Sequence, residues 1–374
     1  MARKFILFLF EILYKFIFKQ IAFRIDAEVV HNSITGVGEF LGKVGLLEKI
    51  FAAVLSNKDK NISQKILGIK FYSPIGLSAG FDYEARLTQI TPTLGFGFHS
   101  VGTITNNSYE GNPKPMLGRL PKSKSLMVNK GFKNTGARAI STKLKRMMFD
   151  IPVGISVGRT NNPNLGQAES VRDVVSAFKI FESAKVSNSY YELNISCPNL
   201  SGNVTFYEPK KLDLLLETLD KVKVKKPIFL KMPITKSNQL TLALLNVASK
   251  HKIAGVIFGN LQTNRNDPAL DKKEAKKFKV GNFSGKATWQ RSNELIELAY
   301  RNFKDRFVIV GCGGVFSAED AYIKIKKGAQ LVELITGMIF VGPQLIAQIN
   351  LGLSDRLKTD GFKNISEAVG AGVV

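Results

Sequence analysis

From residue 66 to about residue 350, the chain alternates eight times between a short β-rich run and a longer helical stretch. The runs are Pro74–Ser78, Gly97–Val101, Val153–Val157, Tyr191–Ile195, Ile228–Lys231, Gly255–Phe258, Phe307–Val310 and Leu331–Ile335. Most are almost continuously apolar, as strands buried on both faces must be. Helical patterns lie between them: Thr135–Phe149, Val171–Ala184, Pro209–Val222, Asn238–Lys250, Thr288–Asn302 and Ala318–Lys326. Eight such units over roughly 250–300 residues predict an α/β chain folded as a closed (β/α)8 TIM barrel. An open doubly wound sheet is the alternative. It would usually carry a GxGxxG turn after its first strand, and Gly76-Leu77-Ser78-Ala79-Gly80 does not match that pattern.

Two connections are long, residues 102–150 and 259–306. In a barrel of this kind, long loops after strands build the active face. Ahead of the barrel, residues 1–24 form a different kind of segment, rich in Phe, Ile and Leu and without a helix breaker. On a helix, Lys4, Glu11, Lys15 and Lys19 fall in one arc of about 80°. Charges at 11, 15 and 19 weaken a spanning reading, which needs ~20 mostly uncharged residues. An amphipathic helix lying in one leaflet fits, its charged stripe toward water or headgroups. Arg3, Lys4 and Lys15 would then hold it on an anionic membrane surface. A buried core helix is the competing reading. Residues 25–65 are expected to form a helical extension, 66–352 the barrel and 353–374 a C-terminal tail.

The formal net charge is +23, from 53 Lys+Arg against 30 Asp+Glu. That attracts anions: nucleic acid, anionic lipid or phosphate ligands. Lys outnumbers Arg 40 to 13 and is dispersed, which suits a solvated surface better than a base-reading one. Two cysteines exclude a disulfide scaffold and a four-cysteine zinc site, and three histidines support a histidine triad poorly.

The C-terminal ends of barrel strands are where chemistry belongs. Here they present Ala79-Gly80-Phe81-Asp82, Gly102-Thr103, Asn194-Ile195-Ser196-Cys197-Pro198-Asn199, Lys231, Gly259-Asn260, Gly311-Cys312-Gly313-Gly314 and Ile335-Thr336-Gly337. Carboxylates are few among them. The last two loops occupy the usual phosphate-binding positions of such barrels, where small residues let backbone N–H groups approach an anion. A phosphorylated cofactor such as FMN suits them, and ordinary tight turns are the alternative. Lys231 at the mouth would set a positive charge beside an electron-rich flavin ring. Cys197 is a candidate base or nucleophile, against inert packing. Cys312 and His99 suit packing roles.

These strings resemble the dihydroorotate dehydrogenase family, in its membrane-associated, quinone-dependent class. The matches are Asp26-Ala27-Glu28-Val29-Val30-His31, SPIGLSAGFD (73–82), VGTIT (101–105), NKGFKNTG (129–136), NISCPN (194–199), LKMP (230–233), GVIFGN (255–260), FSGKA (283–287), VGCGGV (310–315) and GAQLVELITGMIFVGP (328–343). The resemblance implies oxidation of dihydroorotate to orotate in pyrimidine (UMP) biosynthesis, with FMN as hydride acceptor and a membrane quinone as final electron acceptor. It implies Cys197 as the catalytic base, and a substrate site of Asn129, Gly131, Phe132, Asn194, Asn199 and Asn260. The implied FMN site is Ala79, Gly80, Thr103, Asn194, Lys231, Gly259, Gly285, Gly313, Gly314, Ile335 and Thr336. The extension would carry the quinone tunnel. The location would be the cytoplasmic face of a bacterial cell membrane, or the mitochondrial inner membrane in a eukaryote.

Several positions depart from the family pattern. The base is the cysteine of the soluble class, where the quinone class has serine. Tyr83 stands at a lysine position, Ser156 at an asparagine, and Gly259 and Leu261 at threonines. The chain is one residue short before Gly131. Two other readings stay open: a tRNA-dihydrouridine synthase-like flavin barrel, and a non-catalytic membrane-anchored flavin protein.

Overall fold

The computed structural model describes residues 2–56 and 59–373. Met1, Asn57, Lys58 and Val374 lie outside them, so the segments 1–24, 25–65 and 353–374 are described without those positions.

Eight parallel strands close into a barrel: β1 (Ile75–Leu77), β2 (Phe98–Ile104), β3 (Val153–Val157), β4 (Tyr190–Asn194), β5 (Ile228–Met232), β6 (Gly255–Phe258), β7 (Val308–Cys312) and β8 (Leu331–Leu334). Each pairs with the next, and β8 returns to β1 through Val332↔Ile75 and Leu334↔Leu77. Every residue of β2 to β6 is buried, which is why their sequences are apolar runs rather than alternating ones. The outer helices bury one stripe each. Helix Pro209–Asp220, with Pro at its start, buries Leu212, Leu215, Leu216 and Leu219 at three- and four-residue spacing.

The strands predicted from the sequence lie within one or two residues of these, except β2, which runs on to Ile104. Three features escaped the sequence reading. A hairpin, Gln64–Ile66 with Ile69–Phe71, closes the N-terminal end of the barrel, with Phe71 edge-on to Phe98 at 5.5 Å. The two long connections are also not plain loops. Leu117–Leu120, Ser125–Val128 and Asn282–Gly285 pair into a three-stranded antiparallel sheet joining one connection to the other. Finally, helix Leu345–Asp360 runs unbroken through residue 352 and buries Leu353 and Leu357, so the division drawn there falls inside an element.

Residues Ala2–Leu13 (α1) continue through a wider, π-helical turn, Tyr14–Phe18, into Lys19–Ala22. Next come α2 (Ala27–Leu41), capped by the Asp26 carboxylate accepting from the Glu28 and Val29 N–H groups, and α3 (Gly45–Leu55). No described helix is long and apolar enough to cross a membrane. The charged stripe stays partly open to solvent and also contacts the protein itself. Lys4 pairs with Asp355 at 2.6 Å, and Glu11 accepts from Gln348 at 2.7 Å, both on helix Leu345–Asp360. Lys15 pairs with Glu11, and Arg3 donates to the Val54, Leu55 and Ser56 carbonyls that end α3. Lys19 lies over the Phe23 and Phe340 rings, while Lys4 and Lys15 keep 63% and 42% of their side chains exposed. The opposite, apolar face points outward, with Phe5 62% and Phe16 71% exposed.

Candidate active site

One cavity runs from the C-terminal ends of the barrel strands outward between the N-terminal helices. Of the residues singled out in the sequence, Ala79, Gly80, Thr103, Gly131, Phe132, Asn194, Cys197, Asn199, Lys231, Gly259, Asn260, Gly285, Gly313, Gly314, Ile335 and Thr336 line it. Asn129 does not. Its Oδ1 accepts from Asn112 Nδ2 (3.0 Å) and its Nδ2 donates to the Pro113 carbonyl (3.2 Å), so the amide is held in its own loop.

The other amides are also fixed. Asn194 Nδ2 donates to Thr103 Oγ1 (2.8 Å), while its Oδ1 accepts from the Ser196 N–H and hydroxyl. Asn199 Nδ2 donates to the Val128 carbonyl and its Oδ1 accepts from Asn282 Nδ2, tying the β4 loop to the antiparallel sheet. Asn260 donates to Ser196 Oγ. Asn112, which the sequence reading missed, donates to both Asn129 and the Asn199 carbonyl.

The loops after β7 and β8 fit an anionic, phosphate-bearing ligand. Gly313 and Gly314 have φ of +101° and +72°, and among the described residues their N–H groups have no backbone acceptor. A Cβ on Gly314 would stand 2.3 Å from Trp289 Cβ, so only glycine lets this turn sit where it does. Thr336 Oγ1 lies 2.8 Å from Ser284 Oγ, closing the same side of the cavity. Unpaired backbone donors and the Lys231 ammonium give the donor set a flavin mononucleotide needs.

Cys197 follows β4 and faces the cavity beside Asn199. Burial pushes its thiol up to about 11, while the Asn199 N–H and the Arg159 guanidinium pull the other way. Arg159 is buried and donates to the Ser201 carbonyl at 2.6 Å. With Cys197 it lines a second, smaller cavity behind the loop, together with Thr205 and Tyr207.

Lys231 is 3% exposed, so it is not a snorkelling surface lysine. Its Nζ donates to Ser78 Oγ at 2.9 Å and lies 3.3 Å from Glu333 and 3.7 Å from Glu192. Burial alone would depress its pKa, but the two carboxylates outweigh that and hold it above the ordinary lysine value. The sequence reading looked only at strand ends and missed these two acids. A lone Glu in each otherwise apolar strand was the available signal.

Toward the helices the cavity becomes apolar, lined by Phe18, Ala22, Phe23, Val30, Ile34, Leu117, Leu126 and Ile339. Tyr14, in the π-helical turn, donates to the Ile339 carbonyl at 2.7 Å. His31 packs edge-on to Phe81 at 5.0 Å, and burial lowers it to about 4. His99 is a core residue, fully buried beside Thr91 and Asp82.

The positions that depart from the family pattern are filled coherently. Ser156 Oγ lies 3.0 Å from Thr103 Oγ1. A Cβ at Gly259 would lie 2.0 Å from the Cys312 carbonyl oxygen, so the backbone itself excludes a side chain there. Lys130 Nζ stands 5.4 Å from the centre of the Tyr83 ring, which returns a cation to that wall, and pairs with Glu28 of α2 at 2.9 Å. In the shortened loop, Gly131 and Phe132 both take positive φ.

The family model described as dihydroorotate dehydrogenase matches residues 61–357. The chain belongs to the dihydroorotate dehydrogenase family. This separates it from the tRNA-dihydrouridine synthase alternative. Among its relatives, a protein named dihydroorotate dehydrogenase (quinone) from Trichodesmium erythraeum is 31% identical, covering 96% of this chain and 97% of that one. One of the same name from a Roseiflexus species is 33% identical, covering 94% and 96%. A crystal structure of a DHODH from Eimeria tenella in complex with ferulenol superposes with a TM-score of 0.78 at 23% identity, over 92% of this chain and 95% of that one. That likeness carries the fold.

Proposed function

We propose that this chain is a quinone-dependent dihydroorotate dehydrogenase, oxidising dihydroorotate to orotate in pyrimidine biosynthesis. The observation that carries it is the family match over the whole barrel, joined to a cavity that brings a thiol, three amide side chains, a buried lysine and glycine turns to one mouth. FMN, when bound, supplies the hydride acceptor and passes the electrons to a quinone.

The remaining steps belong to the chain's own residues. Gly313, Gly314, Gly285 and Thr336 would hold the phosphate end, with Ala79, Gly80, Thr103, Asn194, Lys231, Gly259 and Ile335 around the ring. Asn194, Asn199 and Asn260 would orient the flat substrate with Gly131 and Phe132, and Asn129 would support them through Asn112. Cys197 would take the proton from the substrate ring carbon. Lys130 suits the substrate carboxylate in place of a lysine at 83. The apolar outer cavity suits a quinone tunnel formed by residues 25–65 and the end of the first helix. The exposed apolar face of α1 suits docking into one leaflet, at the cytoplasmic face of a bacterial membrane or its mitochondrial counterpart, driven chiefly by burial, with the exposed Lys4 and Lys15 free to meet anionic lipid.

The test is spectroscopic. Purified protein should be yellow, bleach on anaerobic addition of dihydroorotate and regain colour with a soluble quinone. A protein that stays colourless after reconstitution, or keeps its colour with dihydroorotate, overturns the reading.

A further inference from the structure

Inside the barrel, at the floor of the cavity, two buried carboxyls and one buried ammonium meet. Glu192 of β4 is 0% exposed, Glu333 of β8 is 1% and Lys231 of β5 is 3%. Fully ionised, this cluster would carry an uncompensated negative charge in a buried site, which is strongly unfavourable. One proton must be kept, and the hydrogen bonds say where. Glu333 accepts from Ser78 Oγ at 2.8 Å, from Ser100 Oγ at 3.3 Å and from Lys231 Nζ at 3.3 Å. Neither Glu192 oxygen has a well-formed hydrogen-bond partner; Ser100 and Glu333 stand beside it, and its nearest cation is at 3.7 Å. Ser78 and Lys231 donate to Glu333, Ser100 is shared between the two carboxyls, and Glu192 is the less well supplied with donors.

We propose that Glu192 carries a proton in the resting enzyme and acts as a positioning residue. It keeps the Glu192–Lys231–Glu333 cluster neutral, so that Lys231 presents its positive charge undiminished to the cofactor side of the cavity. The groups facing Glu192 are Glu333, Lys231 and the Tyr190 phenol, which lies 2.7 Å from Ser100 Oγ, while Cys312 contacts Ser78 at 3.5 Å on the far side. Burial, then Glu333, raises the Glu192 carboxyl to about 8, in keeping with that assignment. Above that pH the cluster gains a negative charge, Lys231 is offset, and a bound flavin becomes harder to reduce.

This inference rests on the flavin reading for its consequence but not for its proton. Infrared spectra of the purified full chain should show a protonated-carboxyl band at neutral pH that disappears in Glu192→Gln and fades in wild type as pH rises past about 8. The band is read whether or not the protein is yellow, so losing the flavin reading and losing this one are separate results. In the yellow enzyme, the flavin midpoint potential should bend downward over the same pH range in wild type and not in Glu192→Gln. Should that variant fail to fold, Glu333→Gln serves. There Glu192 must become the counter-ion of Lys231, and the band should again be lost. A band that survives in the folded variant, or potentials that follow pH identically in wild type and Glu192→Gln, overturns the proposal.

Discussion

Cys197 sits where burial favours the thiol, and the base form is the thiolate. Its pKa is raised, so the reactive form is scarce at neutral pH. Flavin reduction by dihydroorotate, followed by stopped-flow, should therefore speed up with pH through the neutral range and beyond. Arg159→Gln removes an influence that favours the thiolate, so the rising limb should move to higher pH, with Arg159→Lys recovering part of the shift. Cys197→Ala should lower the reductive half-reaction by ~100-fold or more while leaving the protein yellow, in line with removal of a general base. Lys130→Met should raise the KM for dihydroorotate more than it lowers kcat, measured by steady-state assay. The cavity-lining residues were readable from sequence because strand-end strings such as NISCPN and VGCGGV pair residue type with position. The loop trapping Asn129 was not readable, because its partner Asn112 lies in a stretch without pattern. The Glu192 and Glu333 pair escaped because an inward-facing acid looks like any other strand residue until the barrel closes.

At the level of elements, the barrel strands were legible because burial on both faces writes them as apolar runs. The rim sheet was not. Its strands are four residues each; two form a local hairpin, and the third, Asn282–Gly285, pairs with it across more than 150 positions, beyond the reach of any local signal. The first helix has the periodicity read from the sequence. Periodicity identifies two faces without saying what each one meets, and here polar groups on helix Leu345–Asp360 contact part of the charged face while Lys4 and Lys15 stay open to solvent. Two consequences follow. Vesicle co-sedimentation should persist with neutral lipid and in high salt, and Phe8→Glu with Phe16→Glu should abolish it. Arg3→Ala should leave the α3 carbonyls without their guanidinium and cost about 1–3 kcal/mol, read as a lower urea midpoint.

Across the whole molecule, buried ionisable groups set the pH dependence of stability. Lys324 is fully buried, held by Ser292 Oγ and Asn293 Oδ1 at 2.9 Å each, and burial lowers it to about 7 from 10.5. Between those values the unfolded chain binds more protons than the folded one, so stability rises with pH through that window. Glu192 acts in the opposite sense at lower pH, where its raised carboxyl makes stability fall as pH rises from 4.5 to about 8. Urea unfolding of Lys324→Met should lack the alkaline gain that wild type shows.

The rim pairing of Ser125–Val128 with Asn282–Gly285 bears on biogenesis. A nascent polypeptide leaving the ribosome displays its thiol and most of its amides long before the segment that braces them has been made. Prosthetic-group capture must therefore await the final quarter of translation, and any truncation upstream of residue 282 would yield a chain with its Cys197 sulfur present and its pocket wall missing.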